Sequence, residues 1–214
     1  MPPFQLALEA LYRTGIEVRF VQVGANDGIR FDGLYFTVTS NRWSGIVIEP
    51  LPHMFARLAF NYSDYPDVVP VNVAIHPTLT SEKIYHVNPL VVCDYPDWAS
   101  GIASFNRHHL VKHGIRDQDI LAIDVPCKPL MSVIGEHELF DAEVLQIDTE
   151  GFDAEIIGMI DFSRFKPWVI KFEWMNLSQA QKTFCLDRLV QEGYKFSIDH
   201  DESDCTAWLP RLAV

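Results

Sequence analysis

From residue 19 onward, short runs of β-branched and apolar residues alternate with stretches whose apolar positions recur at helical spacing. Arg19 to Val23, Gly45 to Ile48, Val68 to Ala74, Ala142 to Ile147 and Trp168 to Glu173 read as strands, and Pro52 to Asn61, Gly151 to Ile160 and Ser178 to Glu192 as helices. Such alternation implies βαβ units around a mainly parallel sheet with helices on both faces, an α/β fold. The end of the chain breaks the pattern. Tyr194 to Asp199 and Thr206 to Leu212 are strand-like runs separated by the polar turn His200 to Cys205, which predicts an antiparallel hairpin at one sheet edge. Phe4 to Leu11 predicts an amphipathic helix and not a secretory signal, because Glu9 interrupts it, Arg13 follows it and no basic start precedes it. The stretch from about His76 to Pro126 resists the alternation, with only IYHV at Ile84 to Val87 and Ile123 to Val125 reading as strand. Long irregular segments in compact domains commonly recognise ligands, so residues 76–126 are expected to form an irregular substrate-recognition or lid insertion.

With 214 residues, no repeat and no Gly/Ser/Pro-rich linker, the chain is expected to fold as one domain over residues 1–214. A formal net charge of −12 argues against a nucleic-acid backbone or an anionic membrane as the main partner. No apolar run reaches membrane-spanning length. Cys93, Cys127, Cys185 and Cys205 are widely spaced and form no CxxC pair, which disfavours a zinc site and suits a reducing, cytoplasmic setting.

Three segments carry candidate chemistry. Val21 to Gly28, VQVGANDG, runs a hydrophobic strand into a glycine turn. Gly24 removes a side chain where a ligand must approach the backbone, Asn26 tolerates a left-handed turn and Gly28 allows close packing of the next segment. A purely structural turn would look similar. Glu49 ends the next strand, 21 residues past Gly28, where a carboxylate can accept two hydrogen bonds from a ribose diol; the alternative is a solvated loop residue. The spacing is G-x-x-x-G, without the middle glycine that a dinucleotide pyrophosphate requires. Leu145 to Asp153, LQIDTEGFD, places Asp148 and Glu150 at a third strand tip, facing the same crevice. The other reading is that Asp148 or Thr149 caps the following helix, with Glu150 in its first turn.

Together these segments resemble the FkbM family of S-adenosylmethionine-dependent methyltransferases. The resemblance runs through VGANDG at Val23 to Gly28, VIEP at Val47 to Pro50 and Pro52 to Phe55 with Leu58 and Asn61. It continues through VNVA at Val71 to Ala74, Ser100 to Phe105, LQIDTEG at Leu145 to Gly151 and IKFEW at Ile170 to Trp174. It implies a Rossmann-like, seven-stranded class I methyltransferase fold and O-methylation of a hydroxyl on a sugar or natural product. By the same resemblance Gly24, Ala25, Asn26 and Gly28 would form the cofactor loop and Glu49, with Pro50 beside it, would bind ribose. Asn72, Val73 and Ala74 would border the adenine, and Ser104 and Asp148 would lie near the methionine end. Many relatives carry an acidic residue where this chain has Gln22; an amide can still accept a hydrogen bond from the cofactor's ammonium but adds no charge.

A hydroxyl acceptor benefits from a base within reach. The candidates are Asp148, Glu150 and the histidines His108 and His109, of which adjacent helical positions allow at most one to face the site. A metal set of His108, His113 and Asp117 is disfavoured by its i, i+5 spacing, so no metal is expected. Two other functions fit the same sheet. An NAD(P)- or nucleotide-sugar-dependent oxidoreductase is disfavoured by the missing glycine and the absence of a Tyr-x-x-x-Lys pair, and a non-catalytic cofactor-binding module would follow if Gln22 abolished binding.

Overall fold

The computed structural model describes residues 3–212. Its main sheet has seven strands, and the central ones are apolar almost throughout because helices cover both faces. In chain order the sheet uses β1 (Arg19–Val23), β2 (Ser44–Ile48) and β3 (Val68–Val71). A second, four-stranded sheet follows, with β4 (Ala74–Ile75), β5 (Ser81–Val87), β6 (Ala103–Ser104) and β7 (Ile120–Lys128). The chain then returns to the main sheet with β8 (Val144–Ile147), β9 (Val169–Glu173), β10 (Lys195–Ile198) and β11 (Asp204–Trp208). The main sheet's spatial order is β10-β11-β9-β8-β1-β2-β3. All neighbours are parallel except β11, which runs antiparallel to both β9 and β10. The C-terminal hairpin therefore exists as expected, with β11 inserted between β9 and the edge strand β10.

The helices are α1 (Pro3–Tyr12), α2 (Tyr35–Asn41), α3 (Pro52–Asn61), α4 (Arg107–Lys112), α5 (Leu130–Glu136), α6 (Asp153–Met159) and α7 (Gln179–Gln191). Strand residues alternate between two cores. Val21, Ile46, Leu145 and Ile170 pack with residues of α5, α6 and α7, whereas Phe20, Val47, Val144 and Val169 pack with residues of α1, α2 and α3. Helix α3 begins with Pro52 at a position whose missing N–H would be unpaired anyway. Helix α7 is bounded by a reciprocal cap, in which Ser178 and Gln181 satisfy one another's backbone donors.

Three expectations need correction. Val68 to Ala74 is not one strand: β3 ends at Val71, and Ala74–Ile75 leaves the main sheet to pair with β7. Residues 76–126 are not irregular. They hold β5, β6, most of β7 and α4, and β5 pairs antiparallel with β7 over its whole length, from Ser81↔Pro126 to Val87↔Ile120. Exposed polar positions such as Ser81, Lys83 and Asp124 hide these strands from an apolar-run reading, because one side of the small sheet faces water. Helix α6 starts at Asp153 and not at Gly151, since Glu150 (φ 54°) and Gly151 (φ 97°) have left-handed backbones that cannot open a right-handed helix.

Candidate active site

Along β1, β8 and β9, the face toward α1, α2 and α3 changes character from one end to the other. Phe20, Val144 and Val169 are apolar; Gln22, Gln146 and Lys171 are polar and mutually in register; then come Gly24, Asp148 and Glu173 at or just past the strand ends. Strand order reverses at β1, with β2 on one side and β8 on the other, which is where open α/β sheets leave a crevice. A cavity of about 400 Å³ lies there. That is roughly the size of a small-ligand site.

The glycine turn and the second strand tip form one rim. Glu49 accepts hydrogen bonds from the backbone N–H of Asn26 (2.9 Å, on Oε2) and of Leu51 (2.9 Å, on Oε1). Burial pushes its carboxyl up to about 7, against the two backbone donors that pull it down. Asn26 itself has the left-handed backbone (φ 51°) expected of it. Gly24 is required for a reason beyond the one expected. A Cβ there would lie 1.7 Å from the Asp148 carbonyl oxygen, so the glycine permits the close approach of two strand ends at a position that also lines the cavity. Gly28 acts as expected in packing: its Cβ would strike Leu58 and Tyr62, and it does not line the cavity.

Gln22, Gly24, Ala25, Asn26, Glu49, Pro50, Val73, Ala74, Ser104, Asp148 and Glu150 all line this cavity, so three strand tips predicted to converge do so. Asn72 does not. Its side chain donates to the carbonyls of Glu49 (2.8 Å) and Pro50 (3.1 Å), bracing the loop from behind. His108 is exposed and also lies outside the cavity, its backbone N–H taken by the Asn106 cap of α4. His109 is buried and reaches the site only through Glu150, with Nε2 2.9 Å from Oε2. Of the disfavoured metal set, Asp117 is bound to Arg107 at 2.9 Å.

Neither Asp148 nor Thr149 caps α6, and Glu150 is not in its first turn. Asp153 organises this corner instead. Its carboxylate accepts from Thr149 Oγ1 (2.8 Å), Thr149 N (3.3 Å) and Glu173 N (3.1 Å), tying the β8 tip to the end of β9. Burial raises Asp153 to about 6 despite these donors. Asp153→Ala would strand the buried N–H of Glu173 and the part-buried N–H and hydroxyl of Thr149, and is expected to lower unfolding free energy by about 2–4 kcal/mol. An unchanged thermal or urea midpoint would show that the corner holds without it.

Several site residues have no role in the sequence reading. Asp32, Gln146, Lys171, Glu173 and Asp204 line the cavity. Lys171 Nζ is bound to Asp204 Oδ2 at 2.8 Å. Burial works to lower the Lys171 ammonium, but Asp204 and Asp148 together hold it above its ordinary value. Burial raises Asp32, whose Oδ1 accepts from Leu34 N at 2.8 Å. Asp148 is raised well above the usual carboxylate range by burial and then by Glu150, and Glu173 by burial and then by Glu150 and Asp148. The signal that could have revealed them is a polar residue in the middle of a strand otherwise buried on both faces: Gln146 within VLQI and Lys171 within VIKFE repeat the anomaly of Gln22 within RFVQV.

The model of the methyltransferase FkbM domain matches residues 22–196. The chain belongs to the FkbM methyltransferase family. Its donor is accordingly S-adenosylmethionine, and the dehydrogenase alternative is set aside. None of the curated proteins matches the FkbM chain by sequence. Among solved structures it is similar to the METTL16 MTase domain, with 9% identity and a TM-score of 0.53 over 96% of this chain and 65% of that one. It is likewise similar to the N-terminal domain of human METTL16 in complex with SAH, with 11% identity and a TM-score of 0.52 over 96% and 67%. At these identities the likeness is one of fold, a Rossmann-like methyltransferase sheet. No helix among the described residues is long and apolar enough to cross a membrane.

Proposed function

We propose that the cavity binds S-adenosylmethionine and directs its methyl group onto a hydroxyl of a sugar or natural-product acceptor. The observation that carries this reading is the Asn26 N–H to Glu49 hydrogen bond, because it fixes the glycine turn and the strand-tip carboxylate on one rim. Each Glu49 oxygen accepts one backbone N–H. A carboxylate offers about four lone-pair positions, so two remain for a ribose diol. Val73, Ala74, Ile75 and Phe105 supply an apolar wall beside it, suited to the adenine. Gln22, 1% exposed, has an Oε1 with no hydrogen-bond partner among the described residues, an acceptor placed for the ammonium of the amino-acid end.

Six carboxylates, those of Asp32, Glu49, Asp148, Glu150, Glu173 and Asp204, line the cavity against two cations, Arg30 and Lys171. Burial favours the neutral form of Asp32, Glu49, Asp148 and Glu173, and a ligand carrying a sulfonium and an ammonium would favour their ionised form. When bound, the cofactor would supply a methyl group on a positively charged sulfur, and an acceptor oxygen would take that methyl as the sulfur departs as a neutral thioether. Little charge develops at carbon, so alignment of the acceptor supplies much of the rate. Asp148, at the end of β8, is placed to accept the hydrogen bond of the acceptor hydroxyl, hold it in line and take up its proton as the oxygen–carbon bond forms. The β5–β7 sheet and α4, within residues 76–126, would shape acceptor recognition, and an acidic chain of this charge suits a neutral hydroxylated molecule better than a nucleic acid.

Calorimetric titration with S-adenosylmethionine, S-adenosylhomocysteine and NAD tests the cofactor, with binding of the first two and none of the third expected. Transfer of labelled methyl to a panel of sugars, glycosylated metabolites and peptides tests the acceptor, and labelling of peptides alone would overturn the hydroxyl reading. Asp148→Asn is expected to lower turnover by about 100-fold or more through loss of alignment, while the unfolding midpoint changes little. A wild-type rate would remove Asp148 from the reacting centre.

A further inference from the structure

Asp148 at the end of β8, Glu150 in the following turn and Glu173 at the end of β9 each present a carboxylate oxygen, and the three lie within 4.8 Å of one another. The left-handed backbone at Glu150 (φ 54°) and Gly151 (φ 97°) belongs to the turn that brings Glu150 to its neighbours. No amine among the described residues is in direct contact with the trio, although the Lys171 ammonium acts on Asp148 through space. Lys171 is bound to Asp204, and the only side-chain donors to the three among the described residues are Asn176 and His109. Both of these meet Glu150 on the same oxygen, Oε2, and Asn176 also donates to Glu173 Oε1 at 2.6 Å. The Asp148 carboxylate receives none.

Two buried acceptor atoms, one within the trio and one outside it, receive no hydrogen bond among the described residues. Glu173 Oε2, on a residue 8% exposed, has no partner among the described residues. Outside the carboxylate trio, Gln146 precedes Asp148 by two positions on the same face of β8 and lines the same cavity, and its Oε1 is likewise unpartnered although the residue is only 2% exposed. Unmet buried acceptors are rare in proteins and call for a ligand, water or ion. A set of hard oxygen atoms with no thiol and no free imidazole selects a hard divalent cation over zinc or copper. Such an ion binds oxygen at about 2.1 Å and retains several waters, so the carboxylates need draw in by less than about 1 Å, and a retained water can donate to Gln146.

We propose that Asp148, Glu150 and Glu173 bind Mg²⁺ or Mn²⁺ at the acceptor end of the cavity, where the ion and the second Asp148 oxygen together position the acceptor hydroxyl. The role in acceptor binding rests on the methyltransferase reading above; the ion site itself does not. His109 then acts as a positioning residue, holding Glu150 through its Oε2. The competing state of the same trio is one in which protons, and not a metal ion, relieve the repulsion.

Titration calorimetry of Mn²⁺ and of Mg²⁺ into the protein, with and without saturating S-adenosylhomocysteine, separates the possibilities. One saturable site per chain is expected, weakened at least about tenfold in Glu173→Gln and in Glu150→Gln. Both variants should keep the wild-type melting transition, and the second is there in case the first does not fold. Absence of saturable binding up to about 10 mM, or binding that neither substitution weakens, would overturn the ion site. S-adenosylhomocysteine binding without cation binding would overturn the ion site alone, whereas cation binding without S-adenosylhomocysteine binding would overturn the cofactor reading and leave the ion site standing.

Discussion

Gly24→Ala is expected to destabilise the protein by about 3–5 kcal/mol and to abolish cofactor binding in whatever fraction still folds. Two effects add. The backbone at residue 24 has φ 78°, which a side chain tolerates poorly, and the new methyl would lie 1.7 Å from the Asp148 carbonyl oxygen. Backbone cannot step aside there, because Asp148 N donates to Val23 O at 2.9 Å and Gly24 N to Ile48 O at 3.0 Å, locking β1 between its neighbours. Gly193→Ala provides the control. Residue 193 has a similar φ of 86° but open space around it, so only the backbone penalty of about 1 kcal/mol should appear. Urea denaturation of both variants gives the comparison. Equal losses at the two positions would mean that the strand tips can separate at little cost, and that the crevice is less rigid than its hydrogen bonds imply.

Glu49→Gln is expected to weaken S-adenosylhomocysteine binding by about 1–3 kcal/mol, roughly 5- to 150-fold. The charge that receives the diol is lost, and the amide's NH₂ must face either Asn26 N–H or Leu51 N–H, donor against donor. A pH dependence should accompany this. In the ligand-free protein the carboxyl stands at about 7, above its unfolded value of 4.5. Its neutral form therefore favours folding: the contribution is present below pH 4.5 and is lost as pH rises through about 7. A diol donating two hydrogen bonds prefers the ionised form, so affinity should rise with pH across the same window and level off above it. Calorimetry at several pH values should show this rise in the wild type and its disappearance in Glu49→Gln. A flat wild-type profile together with unchanged variant affinity would take Glu49 out of the ribose position.

Much of the main sheet was legible because its central strands are apolar and its caps are local. The run Arg19–Val23 matches β1 residue for residue, and Ser178 and Glu192, read as helix ends, are the two caps of α7. The convergence of Gly24, Glu49 and Asp148 was legible for the same reason: in a parallel α/β sheet every strand tip of one sign meets the same crevice. The small sheet was not legible. β5 and β7 owe their stability to 7 register pairs between residues 33 or more positions apart, a non-local partnership that no short window displays. Helices α2 and α5 were missed as well; each spans only 7 residues, too few for a periodicity to stand out.

At the site, residue identity and side-chain partnership separated in the same way. The amino-acid sequence determined the α/β alternation, the family and the three segments that meet around the cavity, because strand pattern and turn chemistry are properties of neighbouring residues. Only the tertiary structure decided that Gly24 serves Asp148, that Asn72 braces the loop from behind and that Asp153 staples two strand ends. It alone turned His108 outward and gathered Glu173, Gln146 and Lys171 beneath one cavity. Those outcomes depend on which side chains from distant strands come within 3–5 Å once the sheet closes, and on which charges burial then forces together.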